Sequence, residues 1–478
     1  MKRRNTFLRC FVMILSVTMI IALAACNRQE EQTKPGKDDI ASKVTGKLPA
    51  YRTDLEDSAN TMISDEYVKD YLTYWAKSKG IRQITDEYGN IIFDIPTSEQ
   101  YEKANQTVIV CPYSHQNFRD EIIPLSMALY AARNNESAGR LTIIFTPEGK
   151  HDFLSLKNIN PSHIADKAKI FYLSSGTKAL IGVSAGASSG YLATIRAKRS
   201  KPKYALAYRI RITVPPGGKP DIKISDHTNP ILTLTSLLNN LQDKNMEFEL
   251  ATINGGQDTV NYATSASMII AIDPNDKEKF SEIIDIASEN FEKNHINSTY
   301  ICKRVKTPKS VITEKSRSTF ISYMYTLLNG EYKIQNEDLD YEAITSISFI
   351  RSDIANIKVG SVAYSLDKKI LKKIDQDEAA LCRLSGIYFH KTFSTPLWTA
   401  RDNTDFTNAY SKAFKKHSGK NLTYRPVITA SGAPYLVKKG KDVEIINITV
   451  NNDVVEECLC SIIQYMVDLA DPTEKDAL

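Results

Sequence analysis

The side chains best suited to bind a metal ion are few and dispersed in this chain of 478 residues. Hydrolytic zinc needs imidazole and carboxylate ligands that converge on an open coordination position. No two of the seven histidines stand at a spacing such as H-x-H or H-x-x-x-H. The seven are His115, His151, His163, His227, His295, His390 and His417. The densest donor group is Glu148-x-x-His151-Asp152, and a solvated loop at a strand end is the favoured explanation of it.

Other catalytic chemistries have weak support. Ser184 and Ser188 precede small residues, but neither stands in a nucleophile elbow. Cys111 ends a predicted strand near His115, but Pro112 follows it and no third group lies nearby to orient the imidazole. No glycine-rich phosphate loop opens a predicted helix. Serine, cysteine and nucleotide chemistry are therefore not indicated.

The N-terminus predicts export. A basic head and an apolar run over residues 11–23 form a signal peptide over residues 1–25, and the run is too short for a confident membrane span. Leu23-Ala-Ala-Cys26 resembles the bacterial lipoprotein processing box. We expect cleavage before Cys26, acylation (palmitate or a similar chain) of its thiol, and a lipid anchor on the extracytoplasmic face of a bacterial cell membrane. An ordinary secretory signal is the alternative.

Charge and composition constrain the rest of the chain. Of the formal net charge of +5, four units come from the signal, which leaves about +1 and argues against a nucleic-acid partner. Residues 26–60 are polar and poor in aromatics, so they are predicted to be a flexible tether. The remaining cysteines give no disulfide framework, and Cys458-x-Cys460 is predicted to be a pair of buried thiols.

Periodicity predicts an α/β chain with two domains. A helix over residues 64–79 begins at a serine cap and ends at Gly80. Short β-branched runs at 107–110, 141–145 and 170–173 alternate with helices and predict a mainly parallel central sheet with helices on both faces. From Tyr204 the strands alternate in polarity, which favours an antiparallel sheet. The predicted division is 61–202 for the first part of one domain, 203–388 for an inserted α+β domain, and 389–472 for the return to the first domain.

Several motifs, in order and spacing, resemble the bacterial aminoacyl-histidine (Xaa-His) dipeptidases, a branch of the carnosinase and glutamate-carboxypeptidase superfamily of di-zinc exopeptidases. The resemblance runs from about residue 60 to 470. It implies a zinc-exopeptidase-like fold with an inserted lid domain, two zinc ions and a metallopeptidase (dipeptidase) activity. The matching segments are Asp86-Glu-Tyr-Gly-Asn90, Leu125-Ser-Met-Ala-Leu129, Phe145-Thr-Pro-Glu148, Ile181-Gly-Val-Ser-Ala-Gly186, Ile253-Asn-Gly-Gly256 and Thr345-Ser-Ile-Ser-Phe-Ile-Arg-Ser352.

The positions that the resemblance assigns to metal are mostly altered. Tyr113 stands where a histidine ligand is expected, and His115 where an aspartate should orient that ligand. A neutral phenol is a poor zinc ligand near neutral pH. Asp120 matches the bridging aspartate, although the loop before it is short.

Further departures follow along the chain. Glu148 matches the leading carboxylate of the next element, but Gly149 replaces the general base and Lys150 replaces a ligand. Ser174 replaces a carboxylate ligand, and no histidine follows His417 to supply the last one. In the lid, Lys219 and Asn261 are the candidates for substrate binding.

These departures favour a membrane-anchored pseudoenzyme without a cofactor, which binds peptides, amino acids or another protein. A divergent metal-dependent dipeptidase or aminoacylase, with zinc held by Asp120, His115, Glu148, His151 and Asp152, is the alternative. A solute-binding lipoprotein of unrelated origin is the third hypothesis. The expected partners are the membrane through Cys26, small peptides and, by analogy with the family, a second copy through the lid.

Overall fold

The computed structural model describes residues 36–97, 104–134, 139–147, 153–176, 179–215, 228–257, 261–332, 343–401 and 404–468. These residues form two large β-sheets with associated helices, which is an α/β fold. Among the helices of these segments, none has both the length and the apolar content of a membrane-spanning helix.

The strands of the described segments are numbered in chain order. They are β1 (Gln83–Thr85), β2 (Ile91–Ile95), β3 (Thr107–Tyr113), β4 (Leu141–Pro147), β5 (Lys169–Ser175), β6 (Leu180–Ala185), β7 (Ala187–Arg196), β8 (Arg199–Ser200), β9 (Leu206–Thr213), β10 (Phe248–Gly255), β11 (Ser265–Ile272), β12 (Thr299–Val305), β13 (Val311–Ile312), β14 (Gly330–Tyr332), β15 (Ala343–Ser352), β16 (Asn356–Ser365), β17 (Tyr388–Thr395), β18 (Trp398–Thr399), β19 (Tyr424–Val427) and β20 (Glu444–Val450).

The α-helices are numbered in the same way. They are α1 (Lys37–Ser58), α2 (Asp65–Ser78), α3 (Phe118–Arg133), α4 (Leu154–Asn158), α5 (Pro230–Asp243), α6 (Lys277–Asn294), α7 (Glu314–Thr326), α8 (Lys368–Leu384), α9 (Asp405–Ser418), α10 (Ala433–Leu436) and α11 (Val455–Asp468).

The first sheet is mixed. Its main path is β1-β2-β4-β3-β5-β20-β6-β18, and β19 pairs with β6. Strands β4, β3, β5 and β20 are parallel, whereas β1, β2, β6 and β18 pair antiparallel with their neighbours on this path. The predicted parallel arrangement therefore holds for the centre of the sheet and not for its edges. Apolar clusters cover both faces of this sheet.

The second sheet is antiparallel throughout its described strands. Its main path is β12-β9-β11-β10-β15-β16-β7-β17, and β14 pairs with β15. It extends from Ala187 to Thr395, beyond the predicted range of 203–388 on both sides. After it, the chain returns to the first sheet through β18, β19 and β20. Helices α5, α6 and α7 pack on one face of the second sheet.

The prediction of a flexible tether is wrong for residues 37–58. Helix α1 occupies them and packs against α3 and α11. Its buried residues Ile40, Val44, Leu48 and Leu55 recur at a helical spacing and join the core of the first domain. Gly46 and Pro49 within the helix, together with its many charged residues, mask this pattern in the sequence. Residues 26–35, including Cys26, lie outside the described segments.

Gly256, in the Ile253–Gly256 motif, has a backbone that only glycine adopts without strain. Its φ is +68°, and a Cβ atom there would overlap the carbonyl oxygen of Ser348. The motif therefore marks a close approach of two backbones beside β10 and β15.

We expect Gly256→Ala to lower the free energy of unfolding by about 2 kcal/mol or more, from a strained φ and a steric overlap with rigid backbone. The matched control is Gly46→Ala, where a Cβ meets nothing within 4 Å. In the helix interior this control should stabilise the protein by about 0.5–1 kcal/mol. Urea unfolding of both variants measures the contrast, and equal effects would contradict the backbone argument.

Glu378 on α8 is a buried carboxyl group in the second domain. It is 2 % exposed, and its Oε2 has no hydrogen-bond partner among the described residues. Tyr323 and Cys382 lie near it, and Asp377 precedes it. Burial, with a smaller contribution from Asp377, raises the pKa of Glu378 from 4.5 to about 8. The folded protein therefore keeps a proton that the unfolded chain releases.

This proton makes stability depend on pH. Between pH 4.5 and about 8 the folded state binds more protons than the unfolded state at Glu378, so the free energy of unfolding falls as pH rises. The slope from this group is at most about 1.4 kcal/mol per pH unit. We expect Glu378→Gln to remove this component, as measured by urea unfolding at several pH values in that window. A control, Glu282→Gln on the exposed side of α6, should leave the slope unchanged. An unchanged slope in Glu378→Gln would contradict the assignment.

Candidate functional site

The parallel strands of the first sheet end at a common edge, which we call the carboxyl edge. Tyr113 ends β3, Pro147 ends β4, Ser175 ends β5 and Val450 ends β20, and the paired registers align these ends. Ligands of open α/β sheets bind outside the carboxyl ends of the strands. The candidate site therefore lies here, and Tyr113, His115, Asp120 and Ser174 are the predicted residues that the structure describes near it.

Tyr113 is buried and hydrogen-bonded within the protein. It is 1 % exposed, and its hydroxyl donates to the carbonyl oxygen of Gly89 at 2.8 Å. Gly89 belongs to the Asp86–Asn90 turn, in which Asp86 Oδ1 accepts the backbone N–H of Asn90 at 2.8 Å. Burial raises the pKa of Tyr113 well above its usual range, and nearby Asp65 adds to the effect. The phenol is therefore neutral at physiological pH.

His115 is held by the N-terminus of α2. Its backbone N–H donates to Asp65 Oδ1 at 2.8 Å, and its Nδ1 lies 2.7 Å from the same oxygen. Asp65 is the first residue of α2, where a carboxylate is favoured by the helix dipole. Asp65 is not predicted as a site residue from the sequence, because an acidic residue in the first turn of a helix is also an ordinary helix-start signal.

The carboxylate that reaches the end of β3 belongs to Glu121. It is 6 % exposed and accepts the backbone N–H of Ser114 at 2.6 Å. The predicted Asp120 is instead exposed on the first turn of α3. One residue of helix rotation, about 100°, separates the two side chains, so the structure assigns the buried position to Glu121.

Ser174 faces β20 across the parallel pair. Its Oγ lies 3.2 Å from the hydroxyl oxygen of Thr449 and 3.4 Å from the carbonyl oxygen of Ile448. Thr449 belongs to β20, the strand near which the family resemblance places the final histidine ligand. Two neutral hydroxyls therefore contact each other at the ends of β5 and β20.

The motif residues of the second domain have structural partners. The Arg351 guanidinium donates to the carbonyl oxygens of Gly255 and Gly256, the latter at 2.6 Å. Ser352 Oγ accepts the N–H of Ile253 at 2.9 Å, and Asn254 Oδ1 accepts the N–H of Ser352 at 3.0 Å. These bonds join β10 to β15 and explain why the two motifs occur together.

Of the remaining predicted residues, the structure describes Asn261. It is half-buried in the connection between β10 and β11. Within the described segments, no group of three or more histidine, cysteine, aspartate or glutamate side chains is arranged to hold a metal ion. The remaining candidates lie outside the described residues; they are Cys26, Glu148, Gly149, Lys150, His151, Asp152 and Lys219.

The fold of the chain is similar to that of a solved dipeptidase. The crystal structure of aminoacylhistidine dipeptidase from Vibrio alginolyticus matches with a TM-score of 0.55 and 12% identity, over 84% of this chain and 92% of that one. Human carnosine dipeptidase 1 covers 92% of this chain and all of its own length at 10% identity, but with a TM-score of only 0.49. At such low identity the first of these similarities establishes the fold alone. No protein-family model matches the chain, and no curated protein matches its sequence.

We expect Tyr113→Phe to lower the free energy of unfolding by about 1 kcal/mol, because it removes the hydrogen bond to the half-buried Gly89 and leaves that carbonyl oxygen without this donor. The matched control is Tyr74→Phe, where the side chain is 74 % exposed and stability should not change. Urea unfolding measures both. If Tyr113→Phe is as stable as the unaltered protein, the hydroxyl does not hold the Asp86–Asn90 turn.

Proposed function

We propose that this chain is a membrane-anchored protein with a dipeptidase fold and no peptidase activity, which binds peptides or amino acids or contacts another protein. The observation that carries the proposal is the engagement of Tyr113 by Gly89 at the carboxyl edge. The Tyr113 phenol is buried and neutral, and its hydroxyl donates to a backbone carbonyl oxygen; a neutral phenol is a poor zinc ligand. The position expected to supply a metal ligand therefore supplies a structural bond.

The other described positions support the same proposal. Ser174 offers a neutral hydroxyl, which contacts Thr449. His115 offers one imidazole, whose Nδ1 contacts Asp65, but within the described segments it belongs to no group of three or more such donors arranged to hold a metal ion. Zinc in hydrolytic sites requires imidazole and carboxylate donors that converge. These residues do not fit a pair of zinc ions, so we derive no metal-dependent step.

The alternative is a divergent dipeptidase that rebuilds a metal site. The fold similarity to an aminoacylhistidine dipeptidase supports it. It would need His115 and Asp120 to converge with Glu148, His151 and Asp152. Asp120 points to solvent on the first turn of α3, and its neighbour Glu121 holds the turn after β3. This geometry favours the inactive protein over the rebuilt site. The same fold similarity disfavours a solute-binding lipoprotein of unrelated origin.

Two further parts of the proposal concern location and assembly. We propose that Cys26 is lipidated and that the body lies on the extracytoplasmic side of a bacterial membrane. We also propose that β12, which ends the path of the second sheet, can approach a second copy of the chain. Ile296 beside this strand is 82 % exposed, which suits such a contact.

Metal content and activity test the central proposal. We expect the purified chain, equilibrated with zinc and desalted, to retain much less than one zinc ion per chain and to leave Xaa-His dipeptides intact. Calorimetry with the same dipeptides measures binding without turnover. Two retained zinc ions with hydrolysis would establish the divergent enzyme. In that event, Tyr113→Phe and Asp120→Asn would show which residues contribute.

A further inference from the structure

Among the described segments, the helices that pack on the second sheet, α5, α6, α7 and α8, lie on one of its faces. Alternate residues of its strands face α5, α6 and α7, and the intervening residues form the opposite surface, which we call the helix-free face. Side chains of this face are exposed at each end of the sheet and at its centre. Towards the first domain this face is buried, because Ile344, Val362 and Tyr364 pack against Ile428. The part of the face away from this cluster is exposed, and its side chains define the chemistry of a partner.

The cross-strand registers align one row of residues across the whole helix-free face. The row, in strand order, is Ile301, Arg211, Ser267, Asn254, Arg351, Lys358, Thr194 and Tyr388. With strands about 4.8 Å apart, seven steps extend roughly 34 Å. The row contains three cations and no carboxylate, so the face is positively charged across several strands.

Like charges stand directly opposite each other twice on this face. Arg209 pairs with Lys303, and Arg351 pairs with Lys358. Such pairs destabilise a sheet. Arg351 donates to two carbonyl oxygens, and Lys358 lies near Asp353 in the adjoining turn, whose pKa is lowered first by the backbone N–H groups of Ala355 and Asn356 and to a smaller extent by Lys358. The first pair has no comparable compensation among the described residues.

Arg209, Lys303 and Arg211, which we call the cationic corner, are all exposed. None of them forms an ion pair in the described part of the chain. Three neighbouring cations on two adjacent strands repel one another in the free protein. An anionic surface placed against them would convert this repulsion into attraction.

We propose that the helix-free face docks on a lipid bilayer that contains anionic phospholipids. The cationic corner contacts phosphate-bearing headgroups, which attract basic residues within about a Debye length. Because adjacent strands of a sheet are rotated by roughly 20° relative to one another, the cationic corner and the far end of the row do not share one plane, so the corner makes the contact. The proposed anchor at Cys26 would keep this corner close to headgroups, which favours a bilayer over a soluble acidic peptide.

Docking agrees with the proposed anchor at Cys26, on which it rests only for proximity. The roughly ten residues between Cys26 and Gly36 reach at most about 35 Å. An anchored body would therefore stay near the bilayer, and electrostatic docking would set which face turns towards it.

The test uses the processed chain from residue 27 onward, prepared without lipid, which retains every described residue. Sedimentation with vesicles of phosphatidylglycerol and phosphatidylcholine is compared with pure phosphatidylcholine. The test variant is Arg211→Glu with Lys303→Glu, and the matched control is Lys369→Glu with Lys373→Glu on the exposed side of α8. We expect salt-sensitive binding to the anionic vesicles, at least tenfold weaker in the test variant and within about twofold of unaltered in the control.

The melting temperature separates docking from misfolding. Lys303→Glu places a carboxylate opposite Arg209, so the test variant should melt at an equal or higher temperature while it loses binding. The proposal is overturned if the unaltered chain ignores anionic vesicles or if both variants lose binding equally. It is also overturned if the chain binds soluble polyglutamate and not vesicles, which would indicate an acidic protein partner. These outcomes are independent of the zinc and dipeptide assays.

Discussion

The two sheets depend on the pairing of β7 with β17. Thr395 lies opposite Ser188, so the chain leaves the first sheet and returns to it from adjacent strands. The returning chain then places β20 between β5 and β6, where Ser174 and Ile448 meet 274 positions apart in sequence. Loop-closure entropy grows only slowly with length, so a long insertion whose ends are paired costs little. The carboxyl edge forms because the returning chain pairs β20 with β5 in the first sheet.

At the carboxyl edge, internal hydrogen bonds hold the chain together. The residues at the end of β3 and just after it form hydrogen bonds with three elements. These are the Asp86–Asn90 turn, the N-terminus of α2 and the first turn of α3. The side chains here are either neutral or carboxylates that accept hydrogen bonds from nearby N–H groups. They need no metal ion to neutralise them, and the fold avoids the cost of an unpaired buried charge. The site region thus has the character of a structural junction. On the second sheet, in contrast, the like charges of the cationic corner repel one another, and no ion pair among the described residues relieves this repulsion.

Local structure was readable from the sequence where capping and periodicity agree. Ser64 caps α2 by accepting the N–H of Tyr67, and Gly80 follows the helix with a positive φ, as the capping signals indicated. The strands predicted at 107–110, 141–145 and 170–173 also lie within β3, β4 and β5. Helix α1 was missed because its four buried apolar residues are separated by charged ones and by Pro49. Its stability comes from packing against α3 and α11, which no local pattern contains.

The sequence by itself determined the alternation of strands and helices, the change to antiparallel texture after residue 203 and the chemical identity of Tyr113 and Ser174 at the strand ends. Tertiary structure alone decided which groups these residues meet. Asp65 reaches His115 across 50 positions, and Glu121 rather than Asp120 reaches Ser114. The registers that align Arg211, Arg351 and Lys358 on one face likewise join strands far apart in the chain. The reason is physical: periodicity reports the burial of each segment, whereas hydrogen-bond partners and charge neighbours depend on how segments pair.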